Sequence, residues 1–93
     1  MYNNINDIQK RLIRKLMNFR PPKWGASHTE KRNIFKGLPK HLIGTKLVKD
    51  AFDDLTKKGF IIRMKKTGEE HVSLNPRMVH EISEFVKEEN DDH

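Results

Sequence analysis

One stretch decides the fold: GLPKHLIGTKLVKDAFDDLTKKGFIIRMKK, residues 37–66. Its central part spaces apolar residues three and four apart, which predicts a helix that begins at Gly44 or Thr45 and ends at Lys58. The next residue is a glycine, which can close the helix in a left-handed conformation. From Phe60 onward apolar and polar residues alternate, as in a strand. The stretch therefore predicts a turn, a helix and a strand in immediate succession.

Two helices are predicted before this stretch. The first covers residues 4–19 and has one apolar face, with polar residues such as Gln9 and Lys10 assigned to the opposite face. The second is short, covers about 28–36, and is preceded by Ser27, which has the spacing of a capping box with the glutamate three residues later. The glycine after this second helix is expected to be its left-handed C-terminal cap.

A hairpin and one more helix are predicted after it. The alternation resumes beyond a polar, glycine-containing loop, so residues 60–74 indicate a β-hairpin with a charged tip. Asn75 is the expected N-cap of the last helix, and the proline after it suits the first helical position. Residues 90–93 are expected to be a frayed tail. The sequence thus predicts a single domain over 1–93, with a core over about 4–89.

Composition excludes several classes of protein. The chain has 93 residues, of which 34% are hydrophobic, and it has no cysteine. This length is too short for a two-domain enzyme, and without cysteine there is no disulfide scaffold or thiolate zinc site. The longest apolar run is Phe60–Ile62, and the N-terminus lacks a signal-peptide pattern, so we expect a cytoplasmic protein without a membrane span. The low apolar content leaves a homodimer open.

Charge is distributed unevenly along the chain. The net charge is +6, from 19 lysines and arginines against 13 acidic residues. Residues 1–49 contain 12 basic and 2 acidic residues, whereas residues 50–93 contain 7 basic and 11 acidic residues. A basic first half favours a surface that faces a polyanion such as nucleic acid.

The predicted order is helix, extended link, helix, turn, helix, hairpin, helix. This order resembles the winged-helix family of helix-turn-helix proteins, and the stretches Trp24–Thr29, Gly37–His41 and Ser73–Pro76 look like small archaeal proteins of this type. The resemblance implies a mainly α fold with a β-hairpin: a three-helix core, a hairpin wing and an additional C-terminal helix. It also implies that the third helix lies in the DNA major groove while the wing contacts the backbone or the minor groove.

The expected partner is double-stranded DNA, and the expected function is sequence-preferring binding in transcription regulation. The expected contacts are basic or hydroxyl side chains at the start of the third helix, at the capped start of the second helix, in the link before it and on the wing. These residues are Arg20, Lys23, His28, Lys31, Arg32, Lys40, His41, Thr45, Lys46, Lys49, Lys65 and Lys66.

Acidic residues on the third helix oppose this interpretation. Asp50, Asp53 and Asp54 would repel phosphate if the helix lay flat in the groove. We therefore expect end-on insertion with these acids turned away from the DNA. The alternative is that they are only solvated surface charges, with Asp53 and Lys57 as an i,i+4 ion pair. A winged helix that binds a basic protein through its acidic last helix, and an RNA-binding protein, remain the alternatives.

Catalytic and metal sites are not expected from the sequence. No two of the five histidines have the i,i+4 helical spacing of a metal site, and no cysteine supports one. Gly44-Thr45-Lys46 lacks the order and spacing of a phosphate-binding loop. We therefore expect no enzyme, no metal, no cofactor and no small-molecule substrate.

Overall fold

Four α-helices and a three-stranded antiparallel sheet make up residues 4–87, the part of the chain that the computed structural model describes. The predicted tail at 90–93 lies outside these residues. The elements in chain order are α1 (Ile5–Asn18), β1 (Thr29–Glu30), α2 (Lys31–Phe35), α3 (Lys46–Lys57), β2 (Ile61–Lys66), β3 (Glu69–Leu74), a 3-10 turn (Pro76–Met78) and α4 (Val79–Lys87). The fold is therefore α+β, and the predicted order of helices and hairpin is confirmed.

The first helix is buried on more of its surface than its apolar stripe predicts. Asn4 caps α1, and its side chain accepts a hydrogen bond from the Asp7 amide at 2.9 Å. Gln9 and Lys10, assigned to the exposed face, are both buried, so that assignment is wrong. The reason is that α3 and α4 pack against neighbouring sides of α1. The Lys10 ammonium lies 5.4 Å from the centre of the Phe85 ring, which lets the long side chain be covered while its charge keeps a partner.

Gln9 links α1 to α3 through two hydrogen bonds. Its side-chain amide donates to the Ala51 carbonyl at 3.1 Å and to the Asp54 carboxylate at 2.8 Å. Lys58 adds an ion pair to Asp54 at 3.2 Å. The hydrogen bonds from Gln9 and Lys58 lower the pKa of the Asp54 carboxyl group. The ionised form of Asp54 is therefore favoured in the folded protein, which makes stability depend on pH.

Replacing Asp54 with asparagine is expected to lower the free energy of unfolding near pH 6 by about 1 kcal/mol, because a half-exposed charged hydrogen bond is partly screened by water. The stabilisation by Asp54 is present above the pKa of the unfolded carboxyl group and is lost as pH falls through the lower folded pKa. The difference between the two proteins should therefore shrink below about pH 4. Urea denaturation at pH 6 and pH 3 measures it, and a difference that grows on acidification would contradict this account.

The second helix is shorter than predicted and has a different start. Residues 29 and 30 form β1, so the predicted capping box at Ser27 does not form, and Glu30 precedes α2 without a side-chain cap hydrogen bond. Pairing of β1 with β3 takes these two residues into the sheet before the helix can begin. Gly37 does not have a positive φ angle, so the prediction of a left-handed cap there is also wrong. The turn after α2 instead reaches the left-handed region at Gly44, where φ is +86°.

The sheet has the order β1-β3-β2. β2 and β3 form the predicted hairpin, in register from Ile61 opposite Leu74 to Lys66 opposite Glu69. Thr67 and Gly68 connect the strands with φ angles of 48° and 82°, the two positive values that a two-residue hairpin turn of the primed type requires. This turn carries the hairpin tip out into solvent.

The C-terminal elements cover the end of the hairpin. The Asn75 side chain accepts a hydrogen bond from the Arg77 amide at 3.0 Å, so the predicted cap is confirmed, although one 3-10 turn precedes α4. Ile82 is buried, and the Phe85 ring meets Phe60 edge to face at 5.8 Å. Among residues 4–87, no helix has the length and apolar character needed to cross a membrane.

Replacing Ser73 with alanine is expected to leave the free energy of unfolding unchanged or raise it by up to about 1 kcal/mol. Ser73 is fully buried in β3, and its hydroxyl has no hydrogen-bond partner within the described residues. A buried hydroxyl without a partner is destabilising, and alanine removes it without leaving a large cavity. Thermal unfolding of the two proteins tests this, and a clear loss of stability in the variant would show that the hydroxyl has a structural role.

Candidate nucleic-acid interface

The N-terminal end of α3 is fixed by its cap and by the turn before it. The Thr45 hydroxyl donates to the Leu42 carbonyl at 2.6 Å and accepts from the Val48 amide at 3.4 Å. Thr45, an expected DNA contact, is thus half-buried with its hydroxyl engaged in capping. Lys40 and His41, also expected contacts, lie exposed in the turn. This cap fixes the first turn of α3. The proton of the Thr45 hydroxyl is already used within the cap.

Lys46 and Lys49 extend from the exposed face of α3. Their side chains are 86% and 73% exposed. Each pairs with an acid one turn later: Lys46 with Asp50 and Lys49 with Asp53, both at 2.8 Å. These two acids therefore lie beside the expected contacts Lys46 and Lys49, because residues four apart lie on the same side of a helix. Asp53 thus pairs with Lys49 and not with Lys57, the partner that the alternative interpretation gave it.

A series of ion pairs connects α3 to the hairpin and α2. Arg63 lies 3.7 Å from Asp53 and also contacts Glu70, to which Lys31 lies at 3.4 Å. The hydrogen bond from Lys49 lowers the pKa of Asp53, and the hydrogen bond from Arg63 lowers that of Glu70. Both carboxyl groups are therefore ionised at neutral pH. Lys31, an expected DNA contact, belongs to this series of ion pairs, and its ammonium lies 4.8 Å from the Phe52 ring centre.

A second group of expected contacts lies where the link after α1 approaches the hairpin. Partial burial, followed by the charges of His71, Lys66 and Lys23, lowers the pKa of His28. His28 is therefore neutral near pH 7 and offers a hydrogen bond rather than a charge to phosphate. Lys65 and Lys66 are exposed at the end of β2, next to the hairpin turn.

The structure leaves two other expected contacts apart from these groups. Arg20 is exposed after α1, and its bond to the following proline is cis. Arg32 is exposed on α2 and pairs with Glu30 at 2.7 Å. All twelve expected residues thus lie at least partly at the surface, and the described contacts do not join all of them.

Two basic residues of α1 belong to the neighbourhood of the turn and were not among the expected contacts. Arg11 reaches the Gly37 carbonyl at 3.5 Å, and the Lys15 side chain lies beside the same glycine. Lys15 and Lys23 lie 5.8 and 5.6 Å from the Phe19 ring centre. The i,i+4 spacing of Arg11 and Lys15 on the polar face of α1 is visible in the sequence. Only the fold shows that this face meets the turn.

The exposed lysines on α3 and on the hairpin give the protein side chains that can contact a polyanion.

Comparisons of the chain with family models, with curated proteins and with solved structures gave no match.

Proposed function

We propose that the chain is a winged helix-turn-helix protein that binds double-stranded DNA with a preference for particular sequences and regulates transcription. In this proposal α3 is the recognition helix and β2–β3 is the wing. The observation that carries it is the exposure of Lys46 and Lys49 on the N-terminal half of α3. In helix-turn-helix proteins this end of the recognition helix meets the bases, and the positive end of the helix dipole attracts phosphate.

The ion pairs on α3 are compatible with this role. An exposed i,i+4 pair contributes only about 0.3–0.5 kcal/mol, so a phosphate can replace the aspartate as partner of Lys46 or Lys49. Asp50 and Asp53 lie one turn further along the helix. A helix lying flat in the groove would bring both carboxylates against phosphates, so we propose that only the N-terminal end of α3 enters it.

Phosphate contacts by other elements would supply much of the affinity. Lys65 and Lys66 on the hairpin, together with Lys23 and Lys40 in the loops, are exposed or half-exposed. Of these, Lys23 and Lys66 both lower the pKa of His28 through their positive charge. With about five to seven phosphate contacts, the logarithm of the binding constant should fall with the logarithm of salt concentration with a slope of about −5 to −6.

Fluorescence anisotropy of a labelled random-sequence DNA duplex, titrated with the whole chain at several salt concentrations, tests the proposal. We expect saturable binding at low salt with the slope given above. Absence of binding at low salt would contradict the proposal. A duplex RNA of the same length provides the comparison, because its deep, narrow major groove does not admit a recognition helix. Equal or tighter binding of the RNA would favour the RNA alternative.

One observation favours a protein partner as a second candidate function. A groove of about 330 Å³ runs between α2, the turn and α3, and its apolar lining includes Phe35, Val48 and Phe52. Ile43, at its edge, is 45% exposed. Failure of the chain to bind any duplex, together with loss of binding to a protein partner on replacing Ile43 with serine, would favour this candidate.

A further inference from the structure

Two glutamates and two histidines converge on one side of the sheet. Glu30 in β1 lies directly opposite His71 in β3. Glu69 precedes His71 by two residues in the same strand, so both side chains are on the same face. One ligand atom from each of these three residues lies within 4.8 Å of the other two. His28, from the loop before β1, brings its Nδ1 atom to 2.8 Å from Nδ1 of His71.

The contacts within this cluster join groups of the same kind. The carboxyl groups of Glu30 and Glu69 bring one oxygen each within 4.8 Å of the other, and two carboxylates side by side repel each other unless a proton or another cation lies between them. The two imidazole nitrogens of His28 and His71 need one proton between them for a hydrogen bond. A bound cation would satisfy Glu30, Glu69 and His71 at once, since each of them has a lone pair to donate.

Two basic side chains compensate the glutamates only in part. Arg32 pairs with Glu30 at 2.7 Å, and Lys66 lies opposite Glu69 across the hairpin. Arg32 is exposed, and the Glu30 carboxylate has a second oxygen that this contact does not use. Neither of these two pairings involves His28 or His71.

We propose that Glu30, Glu69 and His71 form a binding site for a divalent transition-metal ion, with Zn²⁺ as the best fit and His28 turning in as the fourth ligand. Imidazole nitrogen and carboxylate oxygen are zinc ligands, at about 2.0–2.2 Å from the metal. In a tetrahedral site such ligands are about 3.3–3.6 Å apart. The ligand atoms of Glu30, Glu69 and His71 lie within 4.8 Å of one another, and His28 lies 2.8 Å from His71, so metal binding requires side-chain rotation to bring the four atoms to this spacing. Ca²⁺ and Mg²⁺ prefer oxygen ligands, so the two histidines disfavour them.

The site would join three segments of the chain. His28 lies in the loop before β1, Glu30 ends β1 next to α2, and Glu69 and His71 belong to β3. Metal binding would therefore fix the tip of the hairpin relative to the start of α2. Sequence spacing does not show the site, because its members come together through strand pairing rather than through an i,i+4 helical pair.

Isothermal titration of the whole, untagged, chelator-treated chain with zinc chloride at pH 7 tests the proposal, and DNA is absent so that the result is independent of the proposed function. We expect one equivalent of zinc to bind, no comparable binding of magnesium, and a higher melting temperature with zinc. Replacing His71 with alanine should weaken zinc binding at least about tenfold. His80→Ala, which removes an exposed histidine from α4, is the matched control and should bind as the unchanged chain does.

A second variant covers the case in which His71→Ala does not fold. Glu69→Gln alters an exposed side chain at the hairpin tip and should also weaken zinc binding at least about tenfold. Replacing zinc with Co²⁺ should give the visible absorption of a tetrahedral ion in the unchanged chain and not in the Glu69→Gln variant. Zinc affinity that is undetectable, or that is equal in the unchanged chain, the His80→Ala control and the Glu69→Gln variant, would overturn the proposal.

Discussion

Replacing Lys46 and Lys49 together with alanine is expected to weaken binding to duplex DNA between about tenfold and a hundredfold, because each ammonium contributes one charged contact at the point where α3 meets the DNA. The salt slope should also become less steep by about 2. Folding should be little affected, since the two lysines are highly exposed and lose only weak surface ion pairs. Anisotropy titrations with the same labelled duplex measure both quantities.

A matched pair of substitutions separates position from charge. Lys57 and Lys87 are also exposed lysines, at the C-terminal ends of α3 and α4, and their replacement with alanine removes the same total charge. If α3 enters the groove by its N-terminal end, this control should lose much less affinity than the Lys46 and Lys49 variant. Equal losses in the two variants would indicate unspecific attraction between a basic protein and DNA. An unchanged affinity in the first variant would show that α3 is not the recognition helix.

Replacing Phe52 with alanine is expected to lower the free energy of unfolding by about 3–5 kcal/mol. The side chain is buried on α3, and its ring meets the Phe35 ring edge to face at 5.8 Å. Lys31 and the Arg63 guanidinium lie 4.8 and 5.0 Å from its centre. Truncation would thus leave a cavity where α2, α3 and the hairpin meet. Because a domain of this size is stable by only about 5–14 kcal/mol, much of the total would be lost.

Urea denaturation followed by circular dichroism measures this loss. Val79→Ala is the control, because Val79 is an apolar residue that is half-exposed on α4, and its replacement should change stability by less than about 0.5 kcal/mol. A loss below about 1 kcal/mol for Phe52→Ala would mean that the core does not depend on the packing described between α3 and its neighbours.

Local patterns predicted the elements that depend on nearby residues. The spacing of Val48, Phe52 and Leu55 indicated the buried face of α3, and these residues are buried in the structure. The polar loop within the alternation indicated the hairpin, which forms with Thr67 and Gly68 at its turn. Periodicity, caps and turn residues act over a few positions, so they can be interpreted without knowing the rest of the fold.

Features that depend on distant residues were missed. Gln9 appeared polar and therefore exposed, yet its partners Ala51 and Asp54 lie more than 40 positions away. The capping box at Ser27 was plausible locally, but pairing of Thr29 with Val72 takes the chain into a strand instead. In both cases a tertiary contact overrides the local preference, and one sequence gives no sign of which contact that is.

The candidate site was predictable in its residue types and less so in its arrangement. The exposed lysines of α3 follow from the helical period, but the sequence does not show that Asp53 pairs with Lys49 rather than Lys57, or that the hairpin brings Arg63 to the same carboxylate. The meeting of His28 with His71 follows only from strand register. Counting charges along the sequence does not show which basic side chains are already paired with acidic ones in the folded protein.

The central claim is that the N-terminal end of α3 and the hairpin tip contact duplex DNA. The most direct measurement is a nuclear magnetic resonance titration of the ¹⁵N-labelled chain with a short DNA duplex. The account predicts that the largest amide shift changes fall within residues 40–49 and 65–68, with little change in α4. Largest changes in α4, with residues 40–49 unaffected, would contradict it.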